Sequence, residues 1–310
     1  MTTQTVVIGY GAVGRATVER LTAEGRPVLV AQRNAPASLP NGVPFERCNI
    51  LDAGSVGAIF RKGAQVVVAI GFAYRGAVWR DVWPRAMRNI VDAAAETKAR
   101  VVFVDNLYMY GPQAAPLRED MPLTSYGVKP KVRADITRIW LEAARTRGIK
   151  FAALRAPDFY GPGVRLSHLG DVGFAALAKG RSARLIAPPD TPHDFAYVPD
   201  IARAALSLLD AEDDAFGRAW HVPCASTKTP REILALGAQA LGVRLKISAL
   251  PLAILPALGL VVPFAREMSE MRFQWSWPYK VDWSRFGARF WSDPTPFEVG
   301  APATALSFRD

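Results

Sequence analysis

Three glycines near the N-terminus, Gly9, Gly11 and Gly14, follow the apolar run Thr5 to Ile8 and lead into residues with helical apolar spacing, Ala16, Val18 and Leu21. A strand, a tight turn and a helix in that order suit a pyrophosphate. Gly9 permits the turn, Gly11 lets the backbone approach the phosphates, and Gly14 lets the helix pack closely on the strand. The helix N-terminus adds unpaired N–H groups and the positive end of a dipole. The spacing predicts dinucleotide binding through Gly9, Gly11, Ala12, Val13 and Gly14.

The next strand decides which dinucleotide. An NAD binder places a carboxylate about 20 residues past the glycines to hold the ribose 2′-hydroxyl. Here the chain reads Gln32-Arg33-Asn34. No carboxylate is present to repel a 2′-phosphate, and Arg33 offers a planar fork of donors that suits one. Arg15, one residue past the third glycine, can reach the same phosphate. NADP is the expected cofactor; the competing reading leaves both arginines simply solvated.

With 310 residues, 50% apolar and 21% charged, the chain has enough material for a sizeable core and the composition of a folded protein. Its formal charge of +10 comes from arginines spread along the sequence, without a basic block or an interleaved aromatic pattern. That points to anionic small molecules as partners and away from nucleic acid. Cys48 and Cys224 lie far apart and lack metal-ligand spacing, and His168 and His193 have no paired ligand, so no metal site is expected. Buried free thiols suit a reducing compartment, and a strand starting near residue 5 leaves no room for a signal peptide, so the cytoplasm is the expected location. Ser248 to Phe264 is apolar throughout, yet it is short for a membrane span and broken by Pro251, Pro256 and Pro263. It reads as a buried or pocket-lining lobe with no integral membrane segment, membrane-surface contact being the alternative.

The elements that must position these groups alternate. Strands are expected at Thr5–Gly9, Val28–Gln32, Phe45–Cys48, Gln65–Ile70, Arg100–Asp105 and Lys150–Arg155, with helices at Val13–Ala23, Asp81–Thr97 and Val132–Arg147. The fold class is α/β: a doubly wound parallel sheet with a smaller C-terminal substrate lobe. Residues 1–160, with about 193–224 completing the sheet, form the nucleotide domain. Residues 161–192 and 225–310, rich in Gly-Pro turns and tryptophan, form the lobe.

Four further stretches stand at the ends of these strands. They are Asn49-Ile50-Leu51-Asp52, Asp105-Asn106-Leu107-Tyr108-Met109-Tyr110-Gly111, Ala156-Pro157-Asp158-Phe159-Tyr160-Gly161-Pro162, and Asp194-Phe195-Ala196-Tyr197-Val198-Pro199-Asp200. In this order the chain resembles the short-chain dehydrogenase/reductase superfamily, in its extended NAD-dependent epimerase/dehydratase-like branch, over nearly its full length. The resemblance implies a Rossmann fold, adenine against Asn49 and Ile50, and a nicotinamide over Ala69, Ile70 and Gly71 and against Ala156, Pro157 and Asp158. It also implies a small-molecule substrate and, as in many relatives, a homodimer.

The departures are as informative. Hydride-transferring members use a Ser or Thr, a Tyr, and a Lys four residues after the Tyr. Here the hydroxyl position is Asn106, whose amide can polarise a carbonyl or can merely tie down the strand end. Tyr126 has lysines at three and five residues, none at four. Tyr126 as proton donor with Lys129 as ribose contact is one register; alignment on the helix makes Lys131 the ribose lysine and puts Gly127 in the tyrosine position. Neither phenol nor lysine being catalytic is a third reading, with Tyr110 and Tyr160 as reserve donors.

Sugar-nucleotide members carry an arginine where this chain has His193 and often an asparagine where it has Asp158, so the diphosphate grip is missing. Phe72, Tyr74, Trp79, Trp83, Met268, Met271, Phe273, Trp275 and Trp277 suggest either core or an apolar ring-binding pocket. The resulting expectation is an NADP(H)-dependent oxidoreductase that reduces a carbonyl or similar polarised double bond in a mainly apolar small molecule. Its rivals are an epimerase or dehydratase with a retained cofactor and a non-catalytic NADP-sensing protein.

Overall fold

The computed structural model describes residues 3–309, and their contacts divide the chain into two compact units. The first comprises residues up to 109, 123–155 and 201–220; the second comprises 110–122, 156–200 and 221 onward.

In the first unit, strands β1 (Thr5–Ile8), β2 (Val28–Gln32), β3 (Phe45–Arg47), β4 (Gln65–Val68), β5 (Arg100–Asp105) and β6 (Phe151–Arg155) pair in parallel. Helices α1 (Ala12–Ala23), α2 (Ala53–Phe60), α3 (Gly76–Thr97) and α4 (Lys129–Arg147) connect them. The spatial order is β6-β5-β4-β1-β2-β3, so the winding direction reverses between β1 and β4. Ligands of open α/β sheets bind at such a reversal, beyond the carboxyl ends of the strands. All four residues of β1 are buried, and β-branched side chains on both faces are what a central parallel strand covered by helices requires.

Helix α3 begins five residues before the expected Asp81, because Trp79 extends by one turn the apolar stripe of Trp83, Met87, Ile90 and Ala94. Its stripe packs against α4 and, with Trp140, Phe103 and Phe151, fills the core on one face of the sheet. It ends at Lys98, whose φ of 57° puts a non-glycine residue in the left-handed region. Helix α4 begins at Lys129 with Pro130 second, three residues before the expected Val132; a proline in the first turn sacrifices no intrahelical hydrogen bond.

The second unit holds two parallel strand pairs. In chain order its elements are β7 (Asp158–Tyr160), α5 (Ala175–Ala178), β8 (Ala183–Leu185) and β9 (Phe195–Tyr197), then α6 (Val198–Leu209), whose body lies in the first unit. Next comes β10 (Arg218–His221), the seventh strand of the large sheet, placed beside β6. The chain then forms α7 (Pro230–Leu241), β11 (Ile247–Ala249), α8 (Leu255–Leu258), α9 (Pro263–Met271), α10 (Ser284–Arg289) and α11 (Phe297–Leu306). Strand β7 pairs with β9, and β8 with β11. Phe174, Phe195, Ile233, Leu234, Phe297 and Ala301 form the core between α7 and α11. Helix α7 starts at a reciprocal cap in which the Thr229 side chain accepts from the Glu232 N–H and the Glu232 carboxylate accepts from the Thr229 N–H.

The apolar stretch Ser248 to Phe264 departs from its expected burial. Leu260 is 83% and Val261 78% exposed, while Ile254 and Phe264 are also exposed. The three prolines divide it into helices too short to cover every apolar face. Among the described residues no helix is long and apolar enough to cross a membrane.

Candidate cofactor and catalytic site

The glycine turn lies at the reversal between β1 and β4. Gly9 has φ +96°, and a Cβ there would overlap the Ala69 carbonyl oxygen at the end of β4. A Cβ on Gly14 would overlap the Gly9 carbonyl oxygen. Gly11 is different: nothing lies within 4 Å of where its Cβ would stand. Two of the glycines are therefore required by the protein's own packing, and the third leaves open space over the N-terminus of α1, where Ala12, Val13 and Gly14 present their N–H groups. The cradle fits a dinucleotide pyrophosphate.

Gln32 holds this turn from the neighbouring strand. Its Oε1 accepts from the Tyr10 N–H at 2.9 Å and its Nε2 donates to the Asn34 carbonyl at 2.8 Å. Both ends of the amide are thus engaged with backbone, and the groups left for a phosphate at the end of β2 are guanidiniums. Arg33 and Arg15 are exposed, the latter with its guanidinium carbon 5.9 Å from the Tyr10 ring centre. Arg47, also exposed, is the register partner of Gln32 across β2 and β3, a neighbour that the linear sequence does not reveal. Asn49 and Ile50 sit in a self-tied loop. The Asn49 N–H donates to Ser55 Oγ at 3.0 Å, its Oδ1 accepts from the Leu51 N–H at 3.2 Å, and the Ile50 carbonyl accepts from Asn89 of α3 at 3.0 Å.

Asp105 and Asn106 close β5. Asp105 Oδ1 accepts from the Asn106 N–H at 2.8 Å and from Arg133 at 3.0 Å, and Arg155 Nε lies 3.9 Å from its Oδ2. All three charged side chains are buried. Burial pushes the Asp105 carboxyl up from its ordinary value, and the two guanidiniums pull it back. Arg133 also lies over Trp83 and Trp79, 3.8 and 4.8 Å from their ring centres. Asn106 Oδ1 accepts from the Tyr108 N–H at 3.0 Å, the local tie weighed above; the NH2 end of that amide is the end suited to a substrate carbonyl.

Lys129, the first residue of α4, is 0% exposed, and its Nζ lies 5.0 Å from the Tyr74 ring centre. Lys131 is exposed and paired with Asp135 at 2.6 Å. Tyr126 is 39% exposed in the loop before the helix, its N–H donating to Thr124 Oγ1 at 3.0 Å. Ala69 and Ile70 at the end of β4 are half-buried, Gly71 is exposed, and Ala156 and Pro157 follow β6 as buried residues.

The reserve phenols both lie in the second unit. His221 Nδ1 faces the Asp282 carbonyl at 2.9 Å and so carries the hydrogen, which leaves Nε2 to accept from the Tyr110 hydroxyl at 2.8 Å. Tyr160 is 1% exposed, and burial pushes its phenol far above the ordinary value. In the same unit His193 Nε2 lies 3.2 Å from Asp158 Oδ2, within ion-pair reach but out of line for a hydrogen bond. His168 stacks on Trp275, and burial pushes its imidazole down to about 4. Burial also raises the Asp158 carboxyl, but His193 and His168 outweigh it and hold that group below the usual range.

Most of the suggested aromatic pocket is core. Trp79, Trp83, Met271, Phe273 and Trp275 are buried, Phe72 and Tyr74 are half-buried, and Trp277 is exposed with its Nε1 donating to the Gln113 carbonyl at 2.8 Å. Arg47 and Arg133 escaped the reading of the sequence. Arg133 had a signal, since it lies four residues after Lys129 and so shares its helix face.

A doubly wound sheet with a three-glycine turn at its reversal defines an α/β protein of the Rossmann class. The chain belongs to the NAD dependent epimerase/dehydratase family, whose model matches residues 5–222. It is 28% identical over 268 residues to the dTDP-6-deoxy-L-talose 4-dehydrogenase (NAD(P)(+)) of Kitasatospora kifunensis, covering 79% of this chain and 81% of that protein. Among solved structures it resembles the Bordetella bronchiseptica enzyme WbmH in complex with NAD+, with a TM-score of 0.77 at 18% identity, covering 100% of this chain and 99% of that one. It also resembles Thermus thermophilus UDP-glucose 4-epimerase in complex with NAD, with a TM-score of 0.75 at 22% identity over 99% of each chain. The relatives are NAD(P)-linked enzymes, which places the chain in the oxidoreductase class.

Proposed function

We propose that the chain is an NADP(H)-dependent reductase of a carbonyl or similar polarised double bond in a mainly apolar small molecule. The observation that carries the cofactor choice is the end of β2. Gln32 is consumed by the glycine turn, no carboxylate stands beside it, and Arg33, Arg47 and Arg15 are exposed around it. Three guanidiniums attract a 2′-phosphate, and a carboxylate would have repelled one.

When bound, the coenzyme supplies the hydride. The protein's share is position and protons. Gly9, Gly11, Ala12, Val13 and Gly14 hold the pyrophosphate, Lys129 the ribose, and Asn106 the substrate oxygen through its amide NH2. Tyr126 or another phenol of the first unit returns a proton to that oxygen. The curated relative acts on a dTDP-sugar, which needs a cationic grip for its diphosphate. At the corresponding positions this chain places His193 against the Asp158 carboxylate, with a neutral His168 nearby, and a carboxylate there opposes a diphosphate. That arrangement supports a substrate without one.

The test is NADPH oxidation against aldehydes, ketones and imines, run beside Lys129→Ala and Lys131→Ala. Turnover lost with the first and kept with the second supports the assignment; the reverse moves the ribose contact to Lys131. An enzyme that retains nucleotide through purification and consumes no added NADPH is an epimerase or dehydratase instead.

A further inference from the structure

We propose that Tyr74, flanked by Lys129 and Arg133, is the acid–base phenol of this site. The inference deepens the reductase reading and rests on it.

Tyr74 lies in the loop after β4, at the same sheet edge as the glycine turn, Asn106 and the start of α4. The Lys129 ammonium stands over its ring at 5.0 Å, and the Arg133 guanidinium lies close enough to interact electrostatically with its phenol. The Trp79 ring meets it edge-on at 5.5 Å, so apolar surface shields part of this cluster from water. Cations beside a phenol favour its deprotonated form against the desolvation that partial burial imposes, and the Asp105 carboxylate paired with Arg133 offsets part of that cation's effect, which leaves Lys129 as the main stabilising charge.

Of the other tyrosines, Tyr108 also faces Arg133 electrostatically, and the cation that marks Tyr74 is the Lys129 ammonium over its ring. Burial raises Tyr10, Tyr160 and Tyr197, and Tyr110 donates to His221. Tyr126, at the family's usual place, is 39% exposed in the loop before α4. The irregular spacing of Tyr126 and Lys129 thus has a structural counterpart. The lysine is kept, and a phenol from the loop after β4 stands beside it.

The chemistry balances as a reduction. Hydride brings its electron pair to the carbonyl carbon, the π pair moves to oxygen, and that oxygen takes the Tyr74 hydroxyl proton. Solvent reprotonates the phenolate, while Lys129 and Arg133 remain charged and stabilise it in the interval.

The test is an ultraviolet difference titration of tyrosinate on the coenzyme-free protein, comparing wild type with Tyr74→Phe, Tyr126→Phe and Lys129→Met. The earliest ionisation step is expected to vanish in Tyr74→Phe, persist in Tyr126→Phe and move to higher pH in Lys129→Met. A step that survives Tyr74→Phe, or that vanishes in Tyr126→Phe, overturns the proposal. If Tyr74→Phe does not fold, Lys129→Met still decides, since a step that does not move is incompatible with this assignment. In the carbonyl panel, Tyr74→Phe should lose turnover with unchanged NADPH affinity, and retained turnover removes the catalytic role. Because the titration uses no coenzyme, failure of the NADPH reading shows separately, as absent coenzyme binding.

Discussion

Replacing Gly11 and Gly14 separately by alanine divides ligand binding from packing within one turn. At Gly14 a methyl would overlap the Gly9 carbonyl, so the backbone must shift. Overpacking of this kind costs about 1–3 kcal/mol of stability. At Gly11 the methyl meets nothing within 4 Å, and φ −75° with ψ −166° is open to alanine. Alanine caps a helix less well than glycine, but it also restricts the unfolded chain; these opposed effects leave stability within about 1 kcal/mol of wild type. The same methyl projects into space assigned to the pyrophosphate. An overpacking cost of about 1–3 kcal/mol against the ligand corresponds to roughly 5- to 150-fold in Kd. Urea unfolding and NADPH fluorescence titration on both variants read the two effects. A Gly11→Ala protein that binds NADPH as wild type does, or a Gly14→Ala protein with an unchanged unfolding midpoint, refutes the reasoning.

Three further outcomes concern stability. Asp105→Asn should destabilise the fold by about 3–5 kcal/mol, because Arg133 and Arg155 then stay buried without their counter-charge; equilibrium denaturation measures it, and a loss below 1 kcal/mol would discount the pair. His168 titrates near 4 in the folded protein against 6.5 unfolded, so the unfolded chain binds more protons between those values. Stability present above pH 6.5 is therefore lost as pH falls towards 4, by about 3 kcal/mol, and His168→Gln should flatten that part of the profile. Lys98→Gly should stabilise by about 1 kcal/mol, since glycine enters the left-handed region at the end of α3 without the Cβ penalty.

The parts that were legible in the sequence are those whose burial is complete and local. Strands β1, β2 and β5 are apolar because helices cover both faces, and their limits match the expected ones to within a residue. The start of α4 was less legible because Pro130 argues against helical geometry at Lys129, while the structure uses proline as the second helical residue. Register between strands is tertiary, so Arg47 beside Gln32 could not be seen. Tyr110 could be named only as a reserve donor because its partner His221 lies 111 positions away. The apolar run after Ser248 read as buried by composition, but its prolines leave pieces that expose Leu260 and Val261. Lys129 and Tyr126 are close in sequence, yet one is buried and the other solvent-facing, a difference set by where the helix begins.

The central claim is that the glycine turn and the arginines at the end of β2 select the 2′-phosphorylated dinucleotide. Calorimetric titration of the purified protein with NADPH and NADH under identical salt conditions tests it most directly. The account predicts NADPH binding at least about tenfold tighter, a difference of about 1.4 kcal/mol, that disappears in Arg33→Ala. Equal affinities, tighter NADH binding, or no heat with either coenzyme would contradict it.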